Sequence, residues 1–178
     1  MAVDKRNIVL VGMPAVGKST IGVLLAKQLR YNYVDSDIVI QVNNDATLAE
    51  LIAAHGNDGF LRIEAEALKT LGPTRSVIAT GGSAVYSDDA MHQLRQTGPV
   101  VYIRLGVGEL ASRLGDLKAR GVVLKPGQTF AQLFAERAPL YERYADVVVD
   151  TTGLSLGRSV EKVAGAMRRW LRLHPFEE

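Results

Sequence analysis

The chain has 178 residues and a formal net charge of +2, with 47% hydrophobic and 22% charged residues. This length fits one domain with a substantial core, and the ordinary composition excludes a largely disordered chain. The small net charge gives no reason to expect nucleic acid or an acidic membrane as a partner, and the lack of cysteine excludes disulfides, thiolate metal sites and cysteine nucleophiles. No apolar stretch approaches the roughly 18 residues of a membrane span. We therefore expect a single domain over residues 1–178 that stays in the cytoplasm.

Short β-branched runs alternate with longer stretches of helical period, which is typical of βαβ units around a parallel sheet. The pattern predicts strands at residues 7–11, 33–35, 76–80, 100–105 and 146–150. It predicts helices at residues 18–29, 48–55, 59–71, 88–96, 108–114, 129–144 and 158–173. Uninterrupted apolar strands indicate a sheet that is covered on both faces. The expected fold is thus a three-layer α/β domain with a five-stranded parallel sheet.

One connection, residues 115–128, differs from the others because it is long, basic and rich in glycine. It contains three basic residues, Lys118, Arg120 and Lys125. Connections of this length in a compact domain often act as lids over a site, although a solvated surface loop is the alternative. We predict a lid at about residues 115–128.

The strongest motif is Gly12-Met13-Pro14-Ala15-Val16-Gly17-Lys18-Ser19, which matches G-x-x-x-x-G-K-[ST] between a predicted strand and a predicted helix. Backbone N–H groups at such a helix N-terminus bind phosphate oxygens. Lys18 is expected to reach the β- and γ-phosphates, and the Ser19 hydroxyl to ligate Mg²⁺. The predicted nucleotide-binding residues of this loop are Gly12, Ala15, Val16, Gly17, Lys18, Ser19 and Thr20.

Two further segments end predicted strands, at the edge of a parallel sheet where ligands bind. In Asp35-Ser36-Asp37, a helix N-cap would explain one acid. Alternatively, one carboxylate holds hydrated Mg²⁺ and the other accepts the proton of a substrate hydroxyl. The glycines of Gly81-Gly82-Ser83 would let a substrate approach the backbone closely, and a plain turn is the alternative.

Arg137 begins the run Arg137-Ala138-Pro139-Leu140-Tyr141. Its guanidinium can form a forked pair with a carboxylate or phosphate, which lysine cannot do. A surface position on the predicted helix is the alternative.

Together these residues resemble the shikimate kinases, a family of P-loop kinases, over roughly residues 8–150. The resemblance implies a P-loop NTPase fold and an enzyme of aromatic amino-acid biosynthesis. Such an enzyme transfers the γ-phosphoryl group of ATP, with Mg²⁺ as cofactor, to a hydroxyl of shikimate. The resemblance also implies that Asp35 organises Mg²⁺ through water and that Asp37 meets the shikimate hydroxyl as the base.

The resemblance assigns further roles to glycines and arginines. Gly81 and Gly82 match the family's substrate loop, and Arg137 matches the arginine that binds the shikimate carboxylate. Arg113 falls where the family places an arginine against adenine, and Arg120 is expected to be the lid arginine that meets the transferred phosphate. The catalytic residues would then be Lys18, Asp37 and Arg120.

The acceptor half of the pattern departs from the family. In Phe60-Leu61-Arg62-Ile63-Glu64, Leu61 stands where the family has a second carboxylate-binding arginine. Arg62 lies one residue later, about 100° around a helix, and would need a local shift to bind a carboxylate. We retain it as a candidate substrate-binding residue. Loss of one charged donor would weaken carboxylate binding by roughly 1.5–3 kcal/mol. Ser83 replaces the third glycine of the family's triplet.

Three functions stay open from the sequence. The first is a shikimate kinase, with ATP and shikimate as partners. The second is a kinase of the same fold that acts on a related cyclic polyol or hydroxy acid, which Leu61 and Ser83 favour. The third is a nucleotide-binding module without phosphotransfer, against which Asp37, Arg120 and Arg137 argue. In each case we expect a monomer with no nucleic-acid or membrane partner.

Overall fold

The structure is a computed structural model that describes residues 6–113 and 121–175. Its strands are β1 (Ile8–Val11), β2 (Asn32–Asp35), β3 (Ser76–Ala79), β4 (Val100–Arg104) and β5 (Val147–Asp150). Its helices are α1 (Lys18–Leu29), α2 (Ser36–Asn44), α3 (Leu48–Lys69), α4 (Asp88–Thr97), α5 (Val107–Arg113), α6 (Phe130–Tyr144) and α7 (Leu156–Leu173). A short 3-10 turn, Ala84–Tyr86, precedes α4.

The strands form one parallel sheet in the order β2-β3-β1-β4-β5. All four residues of the central strand β1 are fully buried. Successive side chains of a strand point to opposite faces, so helices must cover both faces of the sheet. The predicted α/β class with a five-stranded parallel sheet is confirmed, and each predicted strand is correct to within one residue at either end.

The helix α2 is the one α-helix that the sequence analysis missed in the described residues. Its run of β-branched residues, Ile38-Val39-Ile40, has no apolar stripe of helical period. Ile38 and Val42 are 56% and 73% exposed, and only Ser36 and Ile40 are buried. The Asp35 carboxylate caps the helix by accepting a hydrogen bond from the backbone N–H of Asp37.

The helix α3 carries two predicted helices that meet at Gly56. This glycine has φ 68° and ψ 176°, outside helical geometry, so the predicted separation of residues 48–55 from 59–71 is correct. A capping box between Thr47 and Glu50 starts the first part. The second part carries Phe60 and Glu64 on its buried side.

Because all strands are parallel, their carboxyl ends lie at one edge of the sheet. Register pairs Leu10 of β1 with Ala79 of β3 and with Val101 of β4, while Asp35 of β2 pairs with Ala79. The segments that follow β1, β2 and β3 therefore emerge side by side. None of the helices in the described ranges is long and apolar enough to cross a membrane.

Candidate nucleotide and acceptor site

A cavity of about 360 Å³ lies at this edge of the sheet. The loop after β1, the first turn of α2, the buried side of α3, the loop after β3 and helix α6 all contribute to its wall. This is the size expected for a small-molecule site, at the place where open parallel sheets bind ligands. The structure thus brings together most of the residues that the sequence analysis selected.

The loop between β1 and α1 needs glycine for its path. Gly12 has φ 150°, and a Cβ there would lie only 2.6 Å from the carbonyl oxygen of Ile103. Gly17, just before α1, has φ 99°. Residues other than glycine are strongly disfavoured at such positions. Because no side chain covers the backbone there, its N–H groups remain accessible to phosphate.

Lys18 is a buried cation held over this loop. Its ammonium Nζ donates to the carbonyl oxygens of Gly12 at 2.6 Å and Met13 at 3.0 Å. Burial lowers the pKa of Lys18 to about 8, although the nearby Asp37 carboxylate opposes the change. A positive charge is therefore concentrated where the motif predicts the β- and γ-phosphates.

Ser19 and Asp35, the two candidate Mg²⁺ ligands, are in direct contact. The Ser19 Oγ donates to Asp35 Oδ2 at 2.7 Å, and the Tyr33 hydroxyl donates to the same oxygen at 3.0 Å. Asp35 thus lies beside the first turn of α1 and also caps α2. Hydroxyl and carboxylate oxygens suit Mg²⁺, which usually takes its other ligands from water and phosphate. Residues 6–113 and 121–175 contain no cluster of three or more His, Asp or Glu side chains that could hold a metal ion.

Two acidic side chains, Asp37 and Glu64, flank Gly81. A Cβ on Gly81 would overlap Glu64 Oε1 and lie 2.9 Å from Asp37 Oδ1, so a side chain at this position would displace one or both carboxylates. Burial, reinforced by the charge of Asp35, raises the pKa of Asp37 to about 6. The Asp37 carboxyl group is therefore mostly ionised at neutral pH and more basic than an exposed aspartate.

Glu64 was not selected from the sequence as a site residue, although it lines the cavity. Its Oε2 accepts a hydrogen bond of 2.6 Å from the Ser83 hydroxyl, whereas its buried Oε1 has no hydrogen-bond partner among the described residues. Burial raises the pKa of Glu64 to about 7, with the Asp37 charge acting in the same direction. Ser83 therefore has a defined role, since its hydroxyl binds a buried acid.

Arg137 is a buried cation on the part of the cavity wall that α6 forms. It is 1% exposed. Its Nε donates to the Tyr86 hydroxyl at 3.1 Å and its Nη2 to the Val123 carbonyl at 3.0 Å. Both acceptors are neutral, and Nη1 lies beside Gly82, where a Cβ would approach it to 3.0 Å. A buried guanidinium with neutral partners favours binding of an anion.

The other predicted arginines lie elsewhere. Arg62 is exposed on α3 and does not line the 360 Å³ cavity; together with Leu61 it lines an adjoining cavity of about 220 Å³ that shares Glu64 and Ser83 with the first. Leu61 is half-buried and does not line the 360 Å³ cavity either. Arg113, paired with Glu109, lines a separate pocket of about 250 Å³ beside Gly17 and Thr20. Arg120 and the part of the predicted lid up to that residue lie outside the described residues.

Comparison with known proteins identifies one matching family and several related sequences. A sequence model of the shikimate kinase family matches residues 14–168. Shikimate kinase 2 of Yersinia enterocolitica is 38% identical over 83% of this chain and 87% of its own length. The shikimate kinase of Thermodesulfovibrio yellowstonii is 35% identical over 89% of this chain and 92% of its own.

Solved structures agree with the sequence comparison. Shikimate kinase from Acinetobacter baumannii in complex with shikimate has a TM-score of 0.81 and 28% identity, over 97% of this chain and 96% of its own. A gluconokinase from Sinorhizobium meliloti, at 16% identity and a TM-score of 0.57 over 98% of this chain and 100% of its own, shares the fold.

Proposed function

The chain belongs to the shikimate kinase family, and from this premise we propose that it transfers the γ-phosphoryl group of MgATP to a hydroxyl of shikimate. The family is one of phosphotransferases with an alcohol acceptor. The observation that carries the proposal is the pair of opposite charges in one cavity: the basic carboxylate of Asp37 and the buried guanidinium of Arg137. An acceptor with both a hydroxyl and a carboxylate matches that pair.

Nucleotide binding depends on the loop after β1 and the start of α1. Backbone N–H groups of the loop bind the phosphates, and Lys18 neutralises the charge of the β- and γ-phosphates. Ser19 and Asp35 would hold the Mg²⁺ ion, which neutralises phosphate charge when it is bound. The pocket that Arg113 lines, next to Thr20, is the proposed place of the adenine.

Phosphoryl transfer in this site is mainly a matter of position and charge. A new P–O bond forms between the acceptor oxygen and the γ-phosphorus, while the bond to the β,γ-bridging oxygen breaks and ADP leaves. Asp37 accepts the hydroxyl proton, for which a pKa of about 6 is suited because the group is ionised at neutral pH yet more basic than usual. A role of Arg120 at the transferred phosphate, and of residues 115–128 as a lid, stays a prediction.

Arg137 is proposed to bind the acceptor carboxylate. The position of the family's second arginine is Leu61 here, so one guanidinium does this work alone. A missing charged donor is worth roughly 1.5–3 kcal/mol, which predicts weaker shikimate binding than in a two-arginine site.

A second candidate acceptor is a related cyclic polyol or hydroxy acid. The hydrogen bond between Ser83 and Glu64 favours it, because this pair adds an acidic, hydroxyl-bearing surface to the cavity wall. For either acceptor we propose a monomer that acts in the cytoplasm, the compartment that supplies ATP.

A panel of acceptors tests the proposal. ADP formation from MgATP is measured with shikimate, with shikimate methyl ester, and with a cyclic polyol that has no carboxylate. Shikimate should support turnover, and the ester should be poorer by about tenfold or more because it cannot pair with Arg137. Preference for the uncharged polyol would favour the second acceptor class. Nucleotide binding without turnover on any acceptor would refute the kinase assignment.

A further inference from the structure

The Arg137 guanidinium is held by a chain of hydrogen bonds that extends away from the cavity. Its Nε donates to the Tyr86 hydroxyl at 3.1 Å, and the guanidinium carbon lies 5.0 Å from the centre of the Tyr86 ring. The same hydroxyl donates to Glu136 Oε1 at 2.6 Å. Tyr86 therefore contacts the arginine with both its ring and its oxygen.

Glu136 connects this pair to the segment 123–128. Its Oε2 accepts hydrogen bonds of 2.9 Å from Lys125 Nζ and of 2.9 Å from Gln128 Nε2. The same segment accepts the second hydrogen bond of Arg137, at the Val123 carbonyl. Arg137 at one end of this series of hydrogen bonds and Glu136 at the other are therefore both bonded to the segment 123–128.

The chemistry of the three groups determines which one donates and which one accepts in each of these hydrogen bonds. A guanidinium can only donate and an ionised carboxylate can only accept, so the phenol must donate to Glu136 and accept from Arg137. Hydrogen bonds from Tyr86 and Lys125 lower the pKa of Glu136 and keep it ionised. In the Lys125–Glu136 ion pair the lysine is exposed and the glutamate half-buried, and such a pair near the surface contributes little free energy, so its main effect is to fix the position of the carboxylate.

From this geometry we infer that Tyr86 and Glu136 are positioning residues for the acceptor site: Glu136 orients the Tyr86 hydroxyl, which orients the Arg137 guanidinium. Nη1 is left beside Gly82 and the cavity as the donor for an anionic acceptor. The inference rests on the proposed function, because it assigns the acceptor arginine its geometry. A freely rotating arginine would lose side-chain entropy on binding, and this arrangement removes that cost in advance.

A double-mutant cycle tests the inference. Tyr86→Phe keeps the ring and removes only the hydroxyl. Glu136→Gln keeps the shape but removes the charge and replaces one acceptor oxygen with an amide NH2, so the direction of the Tyr86 hydrogen bond is no longer fixed. Each should raise the KM for shikimate about three- to tenfold and leave the KM for ATP within about twofold. The double variant should resemble Tyr86→Phe alone, because Glu136 acts through the phenol. Glu142→Gln is the matched control, since Glu142 is an exposed acid on the same helix. Additive effects, or an unchanged KM for shikimate in both single variants, would overturn the inference.

A second readout needs no substrate. The side-chain Nε–H resonance of Arg137, identified by its disappearance in Arg137→Lys, should exchange slowly with solvent in the wild type. It should shift and exchange faster in Tyr86→Phe and Glu136→Gln, and stay unchanged in Glu142→Gln. A resonance that is unaffected by Tyr86→Phe contradicts the positioning role. Absence of shikimate turnover by the wild type refutes the proposed function instead, and the resonance then decides the positioning role alone.

Discussion

Replacement of Glu64 by Gln is expected to stabilise the folded protein above neutral pH. Glu64 is 2% exposed, and burial raises the pKa of its carboxyl from the usual 4.5 to about 7. Between these two values the folded protein binds more protons than the unfolded chain. The free energy of unfolding of the wild type therefore falls as the pH rises through this window, and the contribution is constant above it. The difference between the two pKa values corresponds to about 3 kcal/mol.

Urea unfolding at about pH 5 and at about pH 8 measures this contribution. The free energy of unfolding of Glu64→Gln, relative to the wild type, should increase by about 1–3 kcal/mol between the two pH values. Glu161→Gln, at an exposed position of α7, is the matched control and should show no such increase. Asp37 also titrates in this range, but it is present in all three proteins. If the free energy of unfolding had the same pH dependence in the wild type and in Glu64→Gln, the argument that burial raises the pKa of this carboxyl group would be refuted.

Three further predictions concern the cavity. Gly81→Ala places a methyl group against Glu64 and Asp37. Acceptor-dependent turnover should therefore fall about tenfold or more, while the Kd for ATP stays unchanged. Normal turnover would show that the loop can move to accept the methyl group. Leu61→Arg supplies a second charged donor and should lower the KM for shikimate about tenfold, whereas no improvement in steady-state kinetics would mean that position 61 does not reach the acceptor. Lys18→Ala should reduce kcat about a hundredfold or more, and a rate like that of the wild type would contradict the role given to this lysine.

The sequence was sufficient to predict the parallel sheet and the glycine-containing loop between β1 and α1. The three strands at the centre of the sheet, β1, β3 and β4, are short runs rich in β-branched residues and are almost entirely buried, so local composition and tertiary burial agree there. The motif at residues 12–19 has a fixed spacing because glycine is needed where the backbone turns, as the position of Gly12 against Ile103 illustrates. Such features depend on neighbours in the chain and can be recognised without a structure.

The acceptor side was harder to predict because it depends on contacts between distant residues. Ser83 and Glu64 are 19 positions apart, and they meet only because α3 packs beside the loop after β3. Tyr86 and Arg137 are 51 positions apart, and neither residue alone indicates the contact. Helix α2 was missed for a related reason, since its exposed Ile38 and Val42 do not follow the pattern of an amphipathic helix.

The most direct measurement is ADP release from MgATP by the purified protein, with and without shikimate, in the wild type and in Asp37→Asn. The account predicts ADP release that depends on shikimate in the wild type and falls about a hundredfold or more in Asp37→Asn, with ATP still bound. The variant keeps the shape of the side chain and loses the base. Shikimate-independent ADP release by the wild type, or equal rates in the two proteins, would contradict the account.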